Sequence, residues 1–335
     1  MNNSRNNQQS AIRGSRKKTV VITGATSGIG RAAVLRFADL NYNVIAVARN
    51  QEGLEELVRE CNGLAGEVLI QAVDVTDPDG MTRVAEHAVE RFGKIDIWIN
   101  NAAVTIFGRL EDLPKDALQR VLDINIMGYI HGSRSAIPHF RKQGKGILIN
   151  VSSIVGKTGQ PFTVPYTISK AAIISLSECL RMELADATGI HVCTVLPPSI
   201  DTPLFQHGAN YSGYAIKPME PIYTADKVVD AIVRLTKSPR REVFIGTMAK
   251  FSAAAHKISP SLVEKMMTDK VRQDHFQDET SPPSQGNLFD PDNKWTTVSG
   301  GWRDKEEQSV PRKLAVGASA VALGIFTFAW LNTYR

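Results

Sequence analysis

Residues 146–174 read GILINVSSIVGKTGQPFTVPYTISKAAII, and they set the architecture expected of the whole chain. The apolar, β-rich run Gly146–Val151 predicts a strand. Two serines and a Gly/Pro-containing loop follow, then an Ala/Ile-rich helical pattern that carries Tyr166 and Lys170. Tyr166 and Lys170 are four residues apart, which on a helix puts both side chains on one face. An ammonium beside a phenol favours the ionised phenol. An unperturbed tyrosine titrates near ~10, too high to exchange protons readily at neutral pH. Ser153 leaves the end of the strand, where its hydroxyl can hydrogen-bond the same substrate oxygen. The three side chains suit proton transfer to or from a carbonyl or alcohol oxygen. A Tyr-x-x-x-Lys pair by itself is more often an ordinary surface pair, so its context decides.

That context lies upstream. Thr19–Ile22 is a short β-branched run that enters Thr23-Gly24-Ala25-Thr26-Ser27-Gly28-Ile29-Gly30 and then the helical pattern RAAVLRFADL. Strand, glycine loop and helix are the parts of a dinucleotide site, where glycines let the backbone approach a pyrophosphate and the helix start supplies oriented N–H groups. The spacing Gly-x-x-x-Gly-x-Gly departs from the commoner Gly-x-Gly-x-x-Gly. It is similar to the TGxxxGIG pattern of the short-chain dehydrogenase/reductase family, whose Ser, Tyr, Lys order the chain also carries. The resemblance covers about Lys18 to Thr247. Strands alternating with helices predict a Rossmann-like α/β fold, a doubly wound parallel sheet with the coenzyme across the carboxyl ends of the strands.

The resemblance implies site residues one by one. Tyr166 is the expected general acid/base, Lys170 lowers its pKa and binds the nicotinamide ribose, and Ser153 polarises the carbonyl. Asn125, within Asp123-Ile124-Asn125-Ile126 on a helical segment from about Lys115 to Arg141, holds a water that completes the relay. Thr23, Gly24, Ser27, Gly28, Ile29 and Gly30 face the coenzyme. The strand Asn43–Ala48 ends where NAD-binding relatives carry an acidic residue, but here Ala48 is followed by Arg49. A guanidinium can bind a 2′-phosphate by a forked hydrogen bond, so NADP(H) is the preferred cofactor and NAD(H) a possible one. Val68–Val73 is the next strand, leading to Asp74 at the adenine ring and Val75 flanking it. Lys94–Ile99 runs into Asn100-Asn101-Ala102-Ala103, which resembles the family's NNAG and places Asn101 and Ala102 at the coenzyme. After His191–Leu196 come Pro197 and Pro198, the second replacing the family's glycine, and then Thr202 near the nicotinamide carboxamide. Leu204 to Pro221 reads as a mobile lid over substrate, with His207 a loop histidine; Thr224–Lys237 reads as a helix and Glu242–Ile245 as the last strand.

The chain of 335 residues, 43% hydrophobic, is long enough for a proper core. Residues 1–18 read as a disordered basic tail without the apolar stretch of a secretory signal, and no nucleic-acid-binding module accompanies it, so no nucleic-acid partner is expected. Cys61, Cys179 and Cys193 are scattered as free thiols, and no ligand spacing predicts a metal. A catalytic domain at 19–248 is followed by an extension and polar linker at 249–311. Leu314 to Leu331 is uncharged and follows Arg312 and Lys313, so 312–335 is expected to be a single membrane anchor with the catalytic domain in the cytosol. The expected activity is NADP(H)-dependent interconversion of a ketone or aldehyde and an alcohol on an apolar, lipid-like substrate. The alternative is an NADP(H)-binding redox sensor or membrane scaffold without turnover. Relatives of this kind pair as homodimers or homotetramers through the helices around the tyrosine, which is the assembly the resemblance implies.

Overall fold

A computed structural model describes residues 17–303. Residues 1–16 of the basic tail, and the expected anchor at 312–335, lie outside the described residues. Among the described residues no helix is long and apolar enough to cross a membrane. The chain up to Gly300 forms one unit, and Gly301–Arg303 are the described start of a second.

The first unit is built on a seven-stranded parallel sheet. Its strands are β1 (Thr19–Thr23), β2 (Asn43–Ala48), β3 (Val68–Ala72), β4 (Ile97–Asn100), β5 (Gly146–Val151), β6 (Ile190–Leu196) and β7 (Glu242–Phe244), in the spatial order β7-β6-β5-β4-β1-β2-β3. The order reverses between β1 and β4, and that switch point opens a crevice at the carboxyl ends of both. The central strands are buried on both faces, which is why β1, TVVIT, is a continuous rather than alternating apolar run. One face packs α1 (Gly28–Asp39), α2 (Gln51–Glu60) and α7 (Ala225–Leu235) through Phe37, Leu54, Leu57 and Ile232. The other packs α3 (Pro78–Phe92), α4 (Lys115–Leu122) and α5 (Gly128–Gln143) around Val84, Val121, Phe140 and Trp98. Local chemistry sets the helix ends: α3 has an Asp77 N-cap, Pro78 in its first turn and left-handed Gly93 at its C-cap.

Two expected elements differ. The helix expected over 115–141 is broken by a π-helical turn, Asp123–Met127, which inserts into the ladder between α4 and α5 and turns Asn125 fully inward. The segment from Asp274, expected as a polar linker or a loosely attached flap, is tied to the rest of the first unit as far as Gly300. After α6 (Val164–Glu183) and α7 come α8 (Thr247–Ile258) and α9 (Pro260–Lys270), separated where Pro260 cannot continue the preceding helix. Phe276–Thr280 then pairs antiparallel with Tyr214–Ile216. That pairing and a second one, Ile106–Phe107 with Ala209–Asn210, staple the expected lid at two points. Residues 285–300 have no regular form but are tied across the crevice mouth. Asn50 donates to Asp292 O (3.2 Å), Asn293 to Glu52 (2.8 Å), Thr296 to Glu56 (2.7 Å), and the Gly28 N–H to Thr297 O (2.9 Å). Ser299 donates to Asp201 at 2.7 Å. Polar composition suggested a linker because these ties are long-range, and sequence separation of partners does not show in residue type.

Candidate active site

The crevice holds a cavity of about 340 Å³. Ser153, Tyr166 and Lys170 all line it, Ser153 from the turn after β5 and the other two from one face of α6. The Ser153 hydroxyl donates to Pro197 O at 3.2 Å, so the residue at the exit of β6 orients it. The Lys170 ammonium donates to Val151 O (3.0 Å) and to the Tyr129 hydroxyl (3.4 Å), and it lies 5.4 Å from the Tyr166 ring centre. Ser152 donates to Lys170 O at 2.6 Å, which fixes α6 against β5. Burial pushes the Tyr166 hydroxyl up to about 12, opposed by a hydrogen bond with Ser153, and the same burial brings Lys170 down to about 7. Dehydration penalises both charges, and the ammonium is directed at Val151 O rather than at the phenol.

The Asn125 side chain is engaged with protein. Its amide donates to Val104 O (2.9 Å) and Ser169 Oγ (3.0 Å), and its carbonyl oxygen accepts Val104 N–H (2.9 Å). Both amide hydrogens are committed to protein, so the side chain cannot donate to a water. It positions the loop after β4 and, through Ser169, which donates to Tyr166 O at 2.6 Å, the catalytic helix. Tyr129, Asn150 and Ser169 were not legible as site residues. Asn150, just before the serines, accepts from Asn100 (2.9 Å) and donates to Ser177 (2.9 Å), a buried polar bridge from β4 through β5 to α6.

The glycine loop fits an anion. Gly24 has φ +67°, and a Cβ at Gly30 would meet Gly24 O at 1.9 Å, so both positions require glycine. Ser27 makes no side-chain cap, and the N–H groups of Ile29 and Gly30 have no partner among the described residues, which leaves the start of α1 with donors for a pyrophosphate. Gly24, Ser27, Gly28 and Ile29 line the cavity; Thr23 and Gly30 do not. Thr23 is a strut instead, its hydroxyl accepting the N–H groups of Asn101 (3.0 Å) and Ala102 (3.1 Å) and so tying β1 to the loop after β4. Asn101 and Ala102 themselves line the cavity, as do Val75, Pro197 and Thr202. The Thr202 side chain packs 3.0 Å from where a Gly28 Cβ would lie.

After β3 the carboxylate of Asp74 accepts from Thr76 N and Oγ1 (both 2.9 Å) and from Arg120. Burial alone would raise its pKa, but these donors outweigh it and hold the carboxyl below its ordinary value. Arg49 lines the cavity and donates to main-chain carbonyls of residues 287–289. Phe205 stacks on Phe107 (6.2 Å), and with Met219 and Met267 these rings give the cavity lining an apolar part. His275 joins it from the π-helical turn after α9. Burial holds its pKa down at about 4, its Nδ1 lies 2.5 Å from Lys217 O, and its buried Nε2 has no partner among the described residues. Among the described residues no cluster of His, Cys, Asp or Glu is arranged to hold a metal.

Residues 18–210 match the short chain dehydrogenase family. The chain is 31% identical over 320 residues to the uncharacterized oxidoreductase YxnA of Bacillus subtilis (strain 168), covering 93% of this chain and 90% of the relative. It is 37% identical over 187 residues to the 3-oxoacyl-[acyl-carrier-protein] reductase FabG of Thermotoga maritima, covering 56% of this chain and 76% of that one. Among solved structures, a short-chain dehydrogenase from Streptomyces avermitilis superposes with a TM-score of 0.62 at 28% identity, covering 76% of this chain and 96% of the other.

Proposed function

The chain belongs to the short-chain dehydrogenase family and is an oxidoreductase acting on CH–OH groups with NAD(P); from that premise we propose that it interconverts an apolar ketone or aldehyde and its alcohol, with NADP(H) preferred. The convergence of Ser153, Tyr166 and Lys170 on one cavity carries this reading. The coenzyme supplies or takes up the hydride. Gly24, the N–H groups at the start of α1, Asn101 and Thr202 bind and orient it, with Arg49 taking the 2′-phosphate.

In reduction, Tyr166 donates its proton to the carbonyl oxygen while Ser153 donates a hydrogen bond to the same atom. A phenol pushed up to about 12 is a reluctant base, so charge on it has to be supported. Lys170, 5.4 Å from the ring centre, supplies that support when protonated. The apolar wall of Phe107, Phe205, Met219 and Met267 favours a hydrophobic substrate. Ile168 and Met182, exposed on one face of α6, support pairing through that helix. Membrane attachment through 312–335 is proposed from sequence alone, and loss of liposome flotation in protein ending at Pro311 is the expected outcome.

The test is NADPH and NADH oxidation across short ketones, steroids, retinoids and long-chain keto-lipids, with Tyr166→Phe alongside. Turnover by the unaltered protein should fall by about 10²–10⁴-fold in the variant while coenzyme still binds. Undiminished turnover in Tyr166→Phe sinks the assignment, and tight coenzyme binding with no turnover on any substrate favours a redox sensor or scaffold.

A further inference from the structure

Residues 285–300 close one side of the coenzyme crevice, and their firmest hold is on Arg49. Leu288 is fully buried in the core on one face of the sheet, which seats the segment. Its carbonyl accepts Arg49 Nη1 at 3.0 Å and Arg120 Nε at 3.0 Å. Arg49 Nη1 also reaches Phe289 O (3.0 Å), and Nη2 reaches Asn287 O (2.5 Å). A guanidinium has five N–H donors in a planar fork. Because both terminal nitrogens point at the same run of three carbonyls, the donors left over are Nε–H and the Nη2–H beside it, and neither has a partner among the described residues. Arg49 is only partly buried and lines the cavity. The nearby carboxylate of Asp74 is already paired with Arg120, which lessens its repulsion of a phosphate.

We propose that residues 285–300 act as a positioning element for coenzyme choice: the carbonyls of 287–289 grip one edge of the Arg49 guanidinium and present the opposite edge as a fork for the 2′-phosphate of NADP(H). This rests on the NADP(H) preference proposed above. A long, flexible side chain ordinarily loses rotamer freedom when it binds a phosphate, and here that freedom is already spent in the protein. NAD(H) carries a hydroxyl at the same place and gains little from a pre-set charged fork. The segment therefore acts on discrimination between the two coenzymes rather than on dinucleotide binding in general.

The experiment measures Kd for NADP⁺ and NAD⁺ on the full chain, with hydrogen exchange over 285–300 reporting whether the segment is released. Leu288→Ala unseats it from the core; the paired change Asn293→Ala with Thr296→Ala removes two surface ties and leaves the core intact should the first variant fold poorly. In whichever variant releases the segment, Kd for NADP⁺ is expected to rise about tenfold or more while Kd for NAD⁺ moves less than about twofold. A released segment with an unchanged ratio of the two constants, or with tighter NADP⁺ binding, overturns the proposal and leaves the coenzyme preference standing. Equal affinities in the unaltered protein, or an Arg49→Ala variant with unchanged NADP⁺ affinity, overturn the preference itself and this proposal with it.

Discussion

At the scale of the residue, burial decides the acid–base behaviour of the site. Lys170 is 2% exposed and loses its proton near about 7, well below an ordinary lysine. Its charge supports Tyr166 only while the proton is held, so carbonyl reduction should decline as pH rises through about 7, whereas alcohol oxidation, which delivers a proton to the enzyme, should not decline there. A pH–rate profile of kcat in both directions checks this, and Lys170→Met should remove the inflection. Asn125 makes a second case. Asn125→Ala would leave the N–H and C=O of Val104 and the Ser169 hydroxyl without their partner in a fully buried place. An expected loss of about 2–4 kcal/mol follows from leaving such groups unmet, read as a lower urea midpoint with an unchanged slope.

At the scale of the element, the glycine loop and the start of α1 form one rigid piece. Gly30→Ala would drive a Cβ to 1.9 Å from Gly24 O, and no side-chain movement can relieve a clash with backbone. Coenzyme binding should therefore be lost, or weakened by at least about a hundredfold, while far-UV circular dichroism stays close to that of the unaltered protein. The π-helical turn at Asp123–Met127 works in the same way by geometry: one inserted residue rotates Asn125 from the amphipathic register into the core. Periodicity could not show this, since the apolar pattern of α4 and α5 runs on through it.

At the scale of the whole molecule, Lys170 contributes to the pH dependence of stability. Its folded pKa is about 7 and its unfolded value the ordinary ~10.4, so between these the unfolded chain binds more protons and stability should rise with pH. Tyr166, at about 12 when folded, opposes this only above about 10. Chemical denaturation from pH 7 to 10 should show the rise, and Lys170→Met should flatten it. The sequence determined the parallel sheet, the glycine loop and the Ser153, Tyr166, Lys170 set, because buried strands, tight turns and a helix face are local patterns that residue order records. Only the tertiary structure decided the rest: that Thr23 is a strut, that burial dehydrates both Tyr166 and Lys170, and that residues 285–300 hold Arg49 from some 240 positions away. Dehydration and main-chain carbonyl contacts between distant segments arise only when the chain is folded, and a list of side chains does not contain them.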